Sequence, residues 1–137
     1  MSLQALGTVL LSSQPREDAN FYIEHFGFGA VAELDWYVSL QHPDLSGFFL
    51  DLLATEHPAA PEALRGQVTG GLLLGLTVAD ATAEATRLEQ VGLTLIKPLT
   101  DEPWGQRRFQ VQGPGGVVIE VLQRIPPDET WMQAQMA

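Results

Sequence analysis

The sequence predicts an α+β fold in which one strand–helix–strand–strand–strand module is written twice. Three observations carry that prediction. A glycine followed by an apolar strand with one acid four places on occurs in both halves, as Gly47-Phe48-Phe49-Leu50-Asp51-Leu52-Leu53 and as Gly116-Val117-Val118-Ile119-Glu120-Val121-Leu122. A helical stripe ending in glycine also recurs, with Ile23-Glu24-His25-Phe26-Gly27-Phe28 mirrored by Leu88-Glu89-Gln90-Val91-Gly92-Leu93. Upstream of each acid-bearing strand, Trp36–Gln41 and Arg107–Gln112 lead into turns containing Pro43 and Pro114. A charge inside an apolar strand is costly unless paired or solvated, so its return at the same place marks a repeat.

The elements follow in order. Leu6 to Leu11 is apolar and rich in β-formers, and reads as a strand. Ser13-Gln14-Pro15 starts a helix, with Glu17 and Asp18 where the helix dipole favours anions. Ala19, Tyr22, Ile23 and Phe26 recur at helical spacing, and Gly27 stands where a left-handed cap ends the helix. In the second half, Leu72 to Val78 is the strand and Asp80 the N-cap. Ala81, Ala85, Leu88 and Val91 form the stripe, and Gly92 closes it. The modules span about residues 5–54 and 72–124 of a single 137-residue domain. Residues 55–71, with Pro58, Pro61, Gly66, Gly70 and Gly71, read as a linker. Residues 126–137 read as a short helical tail carrying Trp131, Met132 and Met136. Such apolar residues need a cover, which predicts a homodimer or a fold back onto the same chain.

Composition removes several function classes. Seven basic against seventeen acidic residues give a formal charge of −10, which disfavours nucleic acid and anionic membranes as partners. The absence of cysteine removes disulfides, thiolate metal sites and cysteine nucleophiles. Met1-Ser2-Leu3 has no basic stretch leading into an apolar run, and Gly70 to Val78 is too short to span a membrane. A cytoplasmic location is expected. Gly113 to Gly116 lacks the Lys-Ser or Lys-Thr of a phosphate loop, and Ser12 and Ser13 lack a nucleophile-elbow context.

The last third of the chain carries a family resemblance. Asp101-Glu102-Pro103-Trp104-Gly105-Gln106-Arg107-Arg108-Phe109, followed by Gly113-Pro114-Gly115-Gly116 and the strand ending at Glu120, resembles the Pro-Trp-Gly segment, turn and final acidic strand of the vicinal-oxygen-chelate superfamily. This group includes glyoxalase I, bleomycin-resistance proteins and extradiol dioxygenases. Phe21-Tyr22 ahead of Gly27-Phe28 resembles its first helix. The resemblance covers nearly the whole chain. It implies a half-open, cup-shaped mixed sheet with helices outside, a homodimer, and four metal-ligand positions mapping to Gly7, Asp51, Leu73 and Glu120. Glycine and leucine there cannot bind a metal. The turn also departs, with Gly113 and Gly115 where acids are usual.

Asp51 and Glu120 are therefore the candidate acid–base groups. Strand alternation puts Asp51 with Phe49 and Leu53, and Glu120 with Val118 and Leu122. Either acid can instead be structural, Glu120 pairing with a nearby arginine and Asp51 with a strand hydroxyl or water. His25, His42 and His57 form no close pair and read as surface or capping residues. No cofactor is expected beyond a weakly held hard divalent cation. Trp104, in a loop between Pro103 and Gly105, either lines a cleft mouth or plugs the sheet edge, and only one of Arg107 and Arg108 can point inward. The expected ligand cleft comprises Asp51, Glu120, Trp104, Arg108, Phe49 and Thr77. The preferred reading is a metal-free protein that binds a small cationic or aromatic molecule. A degenerate glyoxalase-like lyase or dioxygenase and a non-catalytic dimeric module are the alternatives.

Overall fold

In the computed structural model, which describes residues 1–137, the halves of the sequence form two units, one of Met1–Gly70 with Pro114–Gly116 and one of Gly71–Gly113 with Val117–Ala137. The first contains β1 (Leu6–Ser12), α1 (Pro15–Phe26), β2 (Gly29–Glu33), β3 (Tyr37–His42) and β4 (Leu45–Ala54). Its sheet runs in the order β1-β4-β3-β2, with β1 parallel to β4 and the other pairs antiparallel. The second contains β5 (Gly70–Thr77), α2 (Ala81–Gln90), β6 (Leu95–Glu102), β7 (Gln106–Gln112), β8 (Gly116–Arg124) and α3 (Glu129–Met136), in the sheet order β5-β8-β7-β6. The two orders are the same once the second set of strands is renumbered, so the predicted repeat is present. Each sheet is open rather than closed into a barrel.

Alternation explains which face is which. Along β4, Leu50 and Leu52 are fully buried and belong with Tyr22, Ala19, Val38 and Leu40 to the core beneath α1. In the second unit Val117, Ile119, Val121, Phe109 and Val111 play that part with Ala81, Ala85 and Leu88 of α2. Burying each such leucine or isoleucine contributes about 1.5–3 kcal/mol. Asp51 and Glu120 alternate with these core residues, so each acid lies on the face its helix leaves uncovered. The repeat in the sequence is thus a repeat in orientation.

Both helix ends follow from their sequence. Pro15 opens α1, and Gly27, at φ +77°, closes it with its N–H donating to the Tyr22 carbonyl. Gln14 supplies no side-chain cap; Ser12 Oγ accepts from Gln14 N at 2.9 Å and donates to Asp18 at 2.5 Å. Asp80 caps α2 by accepting from Ala83 N at 3.0 Å. Asp128 does the same for α3, accepting from Trp131 N at 2.8 Å.

The stretch between the modules does more than connect. Ala60 is buried against Leu11 and Leu53, with Tyr37 packed beside them. Arg65 donates to the carbonyls of Pro58 and Ala60, which pins the loop through a 3-10 turn at Glu62–Leu64. Thr69 then extends the β1 edge, its Oγ1 accepting from Leu11 N at 2.7 Å and its N–H donating to the Leu11 carbonyl. Proline and glycine spacing signals the breaks in this segment but not the apolar Ala60 that anchors it.

Tyr22 gives a prediction. Its ring is fully buried, while its hydroxyl is buried with no hydrogen-bond partner. An unsatisfied polar group of this kind costs about 1–3 kcal/mol. Tyr22→Phe is therefore expected to leave stability unchanged or to raise it, as read by urea unfolding. Burial, and then the Asp18 charge, push the phenol well above its ordinary pKa. Its contribution is complete below pH about 10 and is lost as pH rises towards the elevated folded value. The phenylalanine variant should accordingly unfold at higher pH than the parent.

Candidate functional site

In the first unit, Asp51 is the centre of the uncovered face. It stands across from Ser39 on β3 and Val9 on β1. The Tyr37 hydroxyl donates to Asp51 Oδ2 at 2.7 Å. Burial, then the hydrogen bond to Asp51, raise the Tyr37 phenol pKa, so it remains a donor through the neutral range. Asp51 Oδ1 is buried and has no partner. No lysine, arginine or histidine forms an ion pair with this carboxylate. Phe49, two places earlier on the same face, is half-buried and pairs in register with Gly7. Trp36 lies in the bend before β3, outside the strand, and stacks on His57 with ring centroids 3.8 Å apart and planes 4° from parallel.

In the second unit the acid is paired with a cation. Arg108 Nη1 donates to Glu120 Oε1 at 2.6 Å, and Gln110 Nε2 donates to the same oxygen at 3.0 Å. The other edge of the guanidinium reaches Glu102 Oε2, at 2.9 Å from Nε and 2.6 Å from Nη2. Burial opposes the Arg108 charge, but its hydrogen bonds to Glu120 and Glu102 outweigh it and hold the pKa above the ordinary value. Arg108 also sits over the Trp104 ring, 5.2 Å from its centroid. Trp104 is braced by Gln106, which accepts from its Nε1 at 2.8 Å, and by Trp131 of α3, 5.8 Å away. Of the expected apolar tail residues, Trp131 therefore packs on its own unit, while Met136 stays 74% exposed.

Arg107 takes the opposite face, as alternation requires, and binds Asp101 through two hydrogen bonds of 2.7 and 3.1 Å. The hydrogen bond from Arg107 holds the Asp101 carboxyl below its ordinary range. Thr77 ends β5 in an exposed position and makes no hydrogen bond to the Arg108 network. The sequence reading missed Glu102, Tyr37 and Gln110 as partners of the site. A signal for Glu102 existed: acidic Asp101-Glu102 and basic Arg107-Arg108 lie on either side of the Pro103–Gly105 turn, close enough for Glu102 to meet Arg108 diagonally across the hairpin.

The four positions implied as metal ligands do not make a metal set. Gly7 and Leu73 offer no donor, Asp51 is held by Tyr37, and Glu120 is held by Arg108 and Gln110. No group of three histidine, aspartate or glutamate side chains comes together anywhere in the chain. His42 and His57 each turn Nδ1 to a local backbone N–H, of Asp44 and Ala59, as capping residues do. A concavity of about 300 Å³ at the rim of the first unit is lined by Gly27, Val31, Gln41 and His42 and contains no carboxylate. No helix is long and apolar enough to cross a membrane.

The family described as Glyoxalase/Bleomycin resistance protein/Dioxygenase superfamily matches residues 6–121. No curated protein matches the sequence. Among solved structures, TnmS3, an antibiotic binding protein from Streptomyces sp. CB03234, superposes with a TM-score of 0.68 at 23% identity, covering 90% of this chain and 96% of its own. A glyoxalase/bleomycin resistance protein/dioxygenase from Nocardioides gives 0.73 at 17% identity, with 91% and 84% covered. Lactoylglutathione lyase from Agrobacterium tumefaciens gives 0.69 at 19% identity, with 86% and 91% covered. These likenesses establish the fold.

Proposed function

The chain belongs to the glyoxalase/bleomycin resistance protein/dioxygenase superfamily, and on that premise we propose that it is a binding protein for a small aromatic or cationic organic molecule and works without a metal. The observation that carries this reading is how the two retained carboxylates are used. Glu120 is spent on Arg108, Asp51 has a phenol partner, and Gly7 and Leu73 bring no donor, so no ligand set is offered to a hard cation. The uncovered face of the first unit presents Phe49, and that of the second presents Leu73 and Trp104, each partly open to solvent. Rings and aliphatic chains of this kind bury the body of a small organic molecule, and a few polar groups fix its orientation. That TnmS3, of the same fold, is an antibiotic binding protein supports a small-molecule ligand.

A thermal-shift screen of planar aromatic compounds tests the proposal. A ligand that binds only the folded state raises stability by about 2.7 kcal/mol at a hundredfold excess over its dissociation constant. At least one compound should raise the melting temperature of the parent and lose most of that effect in Phe49→Ala or in Trp104→Ala. A broad screen in which every compound leaves the melting temperature unchanged overturns the reading.

A further inference from the structure

The two units treat their equivalent acids differently. In the second, Glu102 and Glu120 share Arg108, and Gln110 donates to the same Glu120 oxygen as Arg108. Arg108 also occupies a face of Trp104, the surface on which a ligand cation would otherwise settle. In the first unit, Asp51 is 9% exposed, has one neutral donor on Oδ2, no cation, and a bare Oδ1. A buried carboxylate oxygen without a donor is costly, and nothing in the chain supplies one.

We infer that Asp51 Oδ1 is the acceptor for a protonated amine, so that the polar end of an aromatic amine ligand is read by the first unit and not by Glu120 and Trp104. This rests on the small-molecule reading above and deepens it, by naming the charged group of the ligand and the atom that receives it. Three features fit an ammonium group. The carboxylate is the only acid of the two without a cation. Tyr37 donates to Oδ2 and thereby turns Oδ1 away from itself as a free acceptor. Beside it on that face stand Phe49 two places along β4, Val9 across on β1, 49% exposed, and the buried Ser39 across on β3, which makes no hydrogen bond to Oδ1. Gly7, in register with Phe49, adds no side chain; even an added Cβ would meet only Phe49, at 3.7 Å. Oδ1 is covered in the free chain, so the amine enters by displacing a neighbour. Val9 and Phe49, both partly open to solvent, are the side chains placed to give way.

The test uses two probes of one shape, 1-naphthylmethylamine and 1-naphthalenemethanol, titrated calorimetrically into the intact chain at neutral pH. The amine should bind about tenfold tighter than the alcohol, because an ionised donor on a carboxylate is worth roughly twice a neutral one. Asp51→Asn, which keeps an acceptor for Tyr37, should abolish that preference. Asp35→Asn, the same charge change at an exposed position, should leave it intact. Equal affinity for both probes in the parent overturns the inference without any variant and leaves the small-molecule reading standing. So does a preference that survives Asp51→Asn or vanishes in Glu120→Gln alone. Failure of both probes to bind also overturns the inference, while the small-molecule reading stands or falls by the broad screen.

Discussion

Replacing Arg108 with methionine is expected to destabilise the second unit by about 3–5 kcal/mol, because it strands two carboxylates that are almost out of water. The Glu102 and Glu120 side chains are 12% and 9% exposed, and Arg108 is the only cation either one meets. The gain from forming such a pair is small once desolvation is counted, whereas the loss from breaking it is large. The triple change Arg108→Met, Glu102→Gln and Glu120→Gln should therefore recover most of the stability lost by the single one. Urea unfolding of the single and triple variants measures both values. If Arg108→Met costs less than about 1 kcal/mol, the network is no stronger than an exposed surface pair.

Gly116→Ala should cost about 3 kcal/mol, for a reason unrelated to charge. A Cβ at Gly116 would stand 2.5 Å from Gly70 Cα and 3.1 Å from the Thr69 carbonyl oxygen. Both are backbone atoms, so no side-chain rotation relieves the clash. The Gly116 N–H donates to that same carbonyl at 3.1 Å, which holds the two strands of chain together. Gly7→Ala is the contrast, since its added Cβ makes only an ordinary contact with Phe49. That change should be neutral or stabilising by up to about 1 kcal/mol through the unfolded chain. Thermal unfolding of the two variants side by side checks the sign of each.

Much of the fold was legible because its signals are local. Gly27 and Asp80 announce helix ends through backbone geometry and side-chain chemistry that act within a few residues. The acids at Asp51 and Glu120 announce the orientation of their strands through strict alternation. β2 was harder to place: Gly29–Glu33 is exposed throughout and carries a bulge between Ala30 and Ala32, so no alternating pattern marks it. The partners of the acids were only half legible. A neighbouring arginine for Glu120 and a strand hydroxyl for Asp51 follow from the cost of bare charge, but the choice of Tyr37 depends on strand register. Glu102 reaches Arg108 because the β6–β7 hairpin folds two charged pairs over the Trp104 turn. The Trp36–His57 stack lay beyond sequence reading altogether, since it joins the start of β3 to the connecting segment.

Asp51 and Glu120 serve Tyr37 and Arg108, and we propose that they do so in place of a metal. Calorimetric titration of the chain with nickel, zinc and ferrous ions, each alone, tests it most directly. Imidazole-poor sets of two engaged carboxylates hold such ions weakly. The expected result is no submicromolar binding by any of the three. Stoichiometric submicromolar binding of one of them, abolished by Glu120→Gln, would contradict the account.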